Sequence, residues 1–297
     1  YLLTSLVTLL IVVVKAGRIR IHLNRKFCLV FLKKSYPYAL LILLMAFYNR
    51  IDSVMLERLL PDPVGKEQAG IYAQAFRLLD AVSMFGALVA GLLLPMFSRM
   101  IKEREQVGPM VKLSFTLLFV PAIIIAFSSL FYDHEIMALL YHSHIETSAD
   151  ILGLLMIGFT GIAVTYIFGT LLTANGSIRQ LNLMAFAGML LNITLNLLLI
   201  PAYQAYGSAV ASLVTQLATG LAQFIIAAII FRLRPGATFI LRLLSFVLLT
   251  ALLAWLSRWF DNRAAGYFGM IGASVLAAFL VRLISIRDLF RIIVREP

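Results

Sequence analysis

Cysteine occurs once in the 297 residues, at Cys28, so no disulfide can close within the chain and no thiolate metal cluster can form. Charge is scarce as well: Asp, Glu, Lys and Arg together make up 13% of the sequence, against about a quarter in a soluble domain. Acidic residues are the scarcer kind, 14 against 25 Lys and Arg, which leaves a net charge of +11. Such a balance in a soluble chain would suggest nucleic acid. Here most of the positive charge lies between apolar runs, where it sets topology and meets anionic lipid head groups, and no nucleic-acid partner is implied. Walker loops, Gly-x-Ser-x-Gly and His-Glu-x-x-His are all missing. No connection is long enough for a catalytic domain outside the membrane, so the sequence offers no sign of an enzyme.

What fills the chain is hydrophobicity: 62% of residues are apolar and the mean hydropathy is +0.96. That composition belongs to a polytopic membrane protein. The opening YLLTSLVTLLIVVV has neither a charged leader nor a cleavage site. We read it as the end of a truncated span, over 1–14. Complete spans are expected at 36–58, 70–97, 111–131, 149–173, 180–200, 206–231, 239–257 and 265–284. The Lys and Arg residues of alternate connections number 19 on one side and 4 on the other, and only Arg50 and Arg77 fall within spans. The basic side is therefore expected to be cytoplasmic, with the C-terminus on it. Residues 15–34 carry seven of these cations interleaved with apolar residues. They read either as a topology-setting loop or as an interfacial linker on anionic lipids.

Charge inside the spans is concentrated in two neighbours. YNRIDSVMLERLL carries Arg50 and Asp52, and AGIYAQAFRLLD carries Arg77 and Asp80. An ionisable group at membrane depth is costly and marks a functional site by default. At 1.5 Å per residue, Arg50 lies about 20 Å in from the cytoplasmic face and Arg77 about 10 Å in from the other, so the two share a depth. Two readings are open. The arginines form a cationic patch for an anionic group such as pyrophosphate, with Asp52 or Asp80 coupled to protons or sodium. Alternatively, the aspartates neutralise them as structural ion pairs between packed helices.

Two later spans carry polar stripes. Ser208, Ser212, Gln216, Thr219 and Gln223 share one helix face, and Asn182, Asn192 and Asn196 fall close to one face. Asn192, Asn196, Gln216 and Gln223 either line a cavity or hydrogen-bond to neighbouring helices. The segment 132–148 holds Asp133, His134, Glu135, His142, His144 and Glu146. Their spacing matches no zinc motif, so a solvated external loop and no metal are expected. Asn175-Gly176 reads as a turn. Small residues at Ala87/Gly91, Gly207/Ala211 and Gly266/Gly269 suggest close helix contacts.

YNRIDSVML followed by AGIYAQAFRLLD resembles the middle of bacterial polysaccharide flippases, within the superfamily of multidrug, oligosaccharidyl-lipid and polysaccharide exporters. LLTANGSIRQLN (Leu171–Asn182) and NITLNLLLIPAYQAYGSAVAS (Asn192–Ser212) fit the same pattern, and the resemblance covers roughly Ser35 to Phe231. It implies an all-α bundle, the C-terminal lobe of a two-lobe exporter, with eight full spans and one truncated. The chain would comprise the end of the last N-lobe helix (1–14), a basic cytoplasmic linker (15–34), a six-helix C-lobe (35–231) and two additional helices with a basic tail (232–297). The implied activity is flipping of an undecaprenyl-pyrophosphate-linked oligosaccharide across the bacterial inner membrane by alternating access, in O-antigen or related polysaccharide synthesis. Its partners would be that lipid, anionic membrane lipids and the polysaccharide-assembly machinery, with no cofactor. Arg50 and Arg77 match the positions of cavity cations in the family. A multidrug antiporter of the superfamily would want a net acidic cavity instead. A membrane-embedded polymerase would want a long, charged external loop, which this sequence lacks.

Overall fold

In lipid, an apolar run can satisfy its own backbone N–H and C=O groups only by coiling or by closing a barrel. The computed structural model describes residues 2–16 and 25–283, and every regular element in them is an α-helix. In chain order these are α1 (Leu2–Ala16), α2 (Arg25–Leu59), α3 (Val64–Lys102), α4 (Gly108–Phe131), α5 (Asp133–Leu140), α6 (Ile145–Ala174), α7 (Ile178–Phe231), α8 (Ala237–Ser257) and α9 (Arg263–Leu280). Seven of them, α2 to α4 and α6 to α9, are long and apolar enough to cross a membrane. The protein is all-helical and multi-pass.

Two elements differ from the expected layout. α2 starts at Arg25, so the last ten residues of the expected linker 15–34 are helical, and Pro37 lies inside the helix. No glycine or Asn-Gly pair separates Arg25 from the apolar run, and a single proline removes only one backbone donor. Of the rest of the expected linker, Lys15 and Ala16 end α1 and 17–24 lies outside the described residues. The segment 132–148, expected to be a loop, contains the two-turn helix α5. Its sequence DHEIMALL starts with acids, which suit a helix N-terminus, and buries Met137.

α7 contains both expected spans 180–200 and 206–231. Its 54 residues are interrupted at Gln204, where φ is 53° and ψ −132°. Along a straight helix, twelve residues would hold Asn196 and Ser208 about 18 Å apart. Instead the Ser208 hydroxyl donates to Asn196 Oδ1 at 2.8 Å, so the chain turns back on itself. A Cβ on Gly207 would stand 2.5 Å from the Leu199 carbonyl oxygen, and only glycine fits that approach. Gln68 steadies the reversal by accepting the Ala205 N–H at 3.2 Å.

Residues 1–39 and 40–297 form two compact units. The first holds α1 and the start of α2, with exposed apolar side chains such as Leu9 and Phe27. In the second, α6 is the central helix: 72% of its most apolar window is buried. It packs on α3, α4, α5 and both limbs of α7. The α6–α7 crossing is backbone on backbone. Gly161 and Gly220 meet there, and a Cβ on Gly161 would lie 2.5 Å from the Gln216 carbonyl oxygen. Gly91 and Gly269, picked out by sequence spacing, face open space instead.

α8 and α9 pair with each other and lie against α4, through Phe246 and Ala278 on Val120, Ile123 and Ile124. A polar clamp fixes one end of this pair. Arg258 donates to Glu135 at 2.7 Å and to the Phe131 carbonyl at 2.7 Å, over the ring of Tyr132. The Tyr132 hydroxyl in turn donates to Ser257 at 2.8 Å. Asn175 and Gly176 form the expected turn, with Gly176 at φ +75° and Asn175 donating to the Ser177 hydroxyl.

Candidate functional site

Antiparallel α2 and α3 place residues equidistant from their short link side by side. Asp52 lies eight residues before Leu60 and Tyr72 eight after Val64, and their side chains meet: the Tyr72 hydroxyl donates to Asp52 Oδ2 at 2.7 Å. The other carboxylate oxygen accepts from Asn196 Nδ2 at 2.7 Å. Asn196 also donates to Asn192 Oδ1 at 3.0 Å and accepts from Ser208. Asp52 is 1% exposed, Asn192 1% and Asn196 0%. A buried carboxylate is tolerated when its lone pairs are satisfied, and this one has donors on both oxygens. The cluster ties three helices together with oxygen-rich side chains: a carboxylate, two carboxamides, a phenol and a hydroxyl.

Arg50 and Asp80 lie on the more open part of the same helix pair. Arg50 Nη2 is 2.9 Å from Asp80 Oδ2, with the two side chains 66% and 37% exposed. The guanidinium also sits 5.2 Å from the centre of the Phe76 ring, a cation–π contact. Arg77 is exposed, and no carboxylate among the described residues lies within salt-bridge distance of it. It shares a face of α3 with Met84, Leu88 and Leu92, each about 70% exposed. An unpaired cation therefore continues along an open apolar helix face.

The structure thus brings together Asp52, Asn192 and Asn196, and separately Arg50 with Asp80, while Arg77 stays apart. Of the two structural pairs open from sequence, Asp80 serves Arg50 across the helix pair and does not serve Arg77 on its own helix. Gln216 and Gln223 are buried, at 5% and 6% exposure. Gln216 donates to Asn49 Oδ1 at 3.0 Å, joining α7 to α2. In this conformation the polar stripe of the second α7 limb faces other helices. Sequence reasoning missed Tyr72 and Asn49. Tyr72 could have been found from the hairpin register, because it mirrors Asp52 about the α2–α3 link.

The acids and histidines of 132–148 go to separate partners. Glu135 binds Arg258, His144 lies 3.7 Å from Glu67, and no three such side chains among the described residues form a metal-binding group. Burial pushes the Asp133 carboxyl above its ordinary value, against the hydrogen bond it accepts from the His134 N–H.

Residues 1–101 match the family described as "Polysaccharide biosynthesis protein". That match overlaps the first two motifs of the flippase resemblance and ends before Leu171–Asn182 and Asn192–Ser212. No curated protein matches the chain. Among solved structures, the chain is similar to one titled "Lipid II flippase MurJ, inward closed conformation", with a TM-score of 0.67 and 16% identity. The likeness covers 92% of this chain and 57% of that one, so the chain spans a little over half the length of that protein. The family match supports the polysaccharide-biosynthesis resemblance carried by the first two sequence motifs, and the structural likeness shows a shared all-helical fold.

Proposed function

We propose that this chain is the C-terminal part of a membrane transporter that flips a lipid-linked oligosaccharide, carried on undecaprenyl pyrophosphate, across the bacterial inner membrane. The fold likeness to a lipid II flippase and the match of residues 1–101 to a polysaccharide-biosynthesis family support a lipid-linked precursor as the substrate class. The role is transport by alternating access, without chemistry on the substrate. On this reading, 1–14 ends the last N-lobe helix, 15–34 joins the lobes, 35–231 is the C-lobe and 232–297 adds two helices and a basic tail. Counting both limbs of α7 as crossings gives eight full spans, with the C-terminus cytoplasmic.

The observation that carries the proposal is the presentation of Arg50 and Arg77 on exposed faces of apolar helices. Guanidinium groups at membrane depth, turned away from their own core, suit the oxygens of a pyrophosphate. Asp80 already holds Arg50 in place, so an incoming anion competes with a carboxylate for it and can be released again. Arg77 needs no such exchange. Asp52, enclosed by Tyr72, Asn192, Asn196 and Ser208, is the group we assign to ion coupling, since hard cations take oxygen ligands and protons take carboxylates. A drug antiporter reading is less well supported, because Asp52 is engaged by neutral donors and Asp80 by an arginine.

The test is export of the glycan in cells carrying the full-length protein with Arg50→Ala or Arg77→Ala. We expect loss of export with normal insertion in the membrane. Unimpaired export in both variants would overturn the cationic site.

A further inference from the structure

A large cavity opens elsewhere in the bundle, and none of the α2–α3 charges lines it. Its volume is about 1430 Å³, and it lies between α4, α6, the second limb of α7 and the start of α8. That exceeds the roughly 300–1,000 Å³ of small-molecule sites. Its walls are apolar and aromatic, with Phe115, Phe119, Phe168, Leu217 and Leu221 among them. Leu217 and Leu221 are also exposed, at 41% and 58%, so the cavity opens sideways on the apolar flank of the bundle.

One end of this groove is basic. Arg104, Lys112, Arg232, Arg234 and Arg242 line it, against a single acid, Glu105. Among the described residues, no carboxylate lies within salt-bridge distance of any of the five. Arg242 spends one N–H on the Arg282 carbonyl, and Lys112 lies over the Phe239 ring. Two helices also begin here. α4 starts at Gly108 and α8 at Ala237, and neither has a side-chain cap, so both direct unsatisfied N–H groups and positive dipole ends to the same place.

We propose that this groove binds an anionic diacyl phospholipid, with its phosphate at the basic end and an acyl chain along the Phe115–Phe119–Leu221 wall. A soluble anion would use the cations but leave the lateral apolar opening without a function. A zwitterionic lipid would fill the wall but gain little from five unpaired cations and two helix N-termini. Charge complementarity and the apolar wall together select the anionic lipid. This assignment rests only on the bundle being embedded in a membrane, and it stands whatever the transported substrate proves to be.

The experiment is lipid binding to the detergent-purified full chain, read by native mass spectrometry and thermal unfolding with dioleoyl phosphatidylglycerol or dioleoyl phosphatidylcholine. Phosphatidylglycerol should bind at least about tenfold more tightly and raise the unfolding temperature. Lys112→Gln, Arg232→Gln and Arg234→Gln should each weaken it roughly fivefold, as expected for removal of one surface cation, and leave phosphatidylcholine unaffected. If a variant does not fold, raised salt on the unaltered protein tests the same point, and should weaken phosphatidylglycerol selectively. Equal affinity for the two lipids, or indifference to both substitution and salt, would overturn the proposal. So would equal stabilisation by inorganic phosphate or by a dihexanoyl lipid, since then the apolar wall contributes nothing.

Discussion

Asp80 pairs with Arg50 of the neighbouring helix at 2.9 Å, although Arg77 stands one turn away on its own helix. The pair bridges α2 and α3 and leaves Arg77 without a carboxylate partner among the described residues. Exposed ion pairs are individually weak, so the coupling in a double-mutant cycle of Arg50→Gln and Asp80→Asn should be about 0.5 kcal/mol. Arg77→Gln combined with Asp80→Asn should be additive. Thermal unfolding of the four combinations measures both cycles. A larger coupling for Arg77–Asp80 than for Arg50–Asp80 would contradict the observed pairing.

The Asp52 cluster behaves differently because it is enclosed. Asp52→Ala strands the Tyr72 hydroxyl and the Asn196 amide in the interior, and we expect a loss of about 3 kcal/mol. Tyr72→Phe removes one hydrogen bond to a charged group while keeping the ring, which should cost about 1.5–3 kcal/mol. Asp52→Asn keeps the shape of the site and separates stability from coupling. Flux in reconstituted vesicles should lose its dependence on the ion gradient in this variant, with the protein still folded. Unaltered gradient dependence would leave Asp52 with a structural role alone.

These differences trace what sequence could and could not supply. Apolar runs placed α4 and α6 to α9 to within a few residues, and the gap between the expected spans 180–200 and 206–231 contains Gln204, where α7 reverses, because burial in lipid leaves the backbone few options. Pairing was harder. That Arg50 and not Arg77 meets Asp80 depends on the register and rotation of α2 against α3, which hydrophobic pattern fixes only loosely. α5 was hidden because eight residues are too few to show a helical period. The basic groove was hidden for another reason. Arg104 and Lys112 are far in sequence from Arg232, Arg234 and Arg242, and each group alone reads as a topology signal.

The clamp between the α4–α5 and α8–α9 links should hold the last two helices to the bundle. Arg258→Ala removes the bond to Glu135, the bond to the Phe131 carbonyl and the contact with Tyr132 at once. With both ionic side chains about one-third exposed, the cost should be about 1–2 kcal/mol. Protease cleavage in the 258–263 link should rise accordingly. Arg263 lies 3.8 Å from the same carboxylate, so Glu135→Gln should mimic much of the Arg258→Ala effect. An unchanged cleavage rate in both variants would show that the apolar α4–α8–α9 contact suffices.

The Gly161–Gly220 crossing gives the sharpest test of packing. A Cβ on Gly161 would meet the Gln216 carbonyl oxygen at 2.5 Å, and one on Gly220 would meet the Gly161 carbonyl oxygen at 2.6 Å. In both cases the obstructing atom is backbone, which cannot swing aside as a side chain would. Separating α6 from α7 would also disturb the Gln216–Asn49 bond to α2. Gly161→Ala should therefore cost about 1–3 kcal/mol, the range for overpacking a filled core. Gly91→Ala is the matched control, since nothing lies within 4 Å of its added methyl. There the better helix propensity of alanine should raise stability by about 0.5–1 kcal/mol. Opposite signs for the two Gly→Ala changes in the same unfolding assay are the expected result, and equal effects would refute the backbone contact.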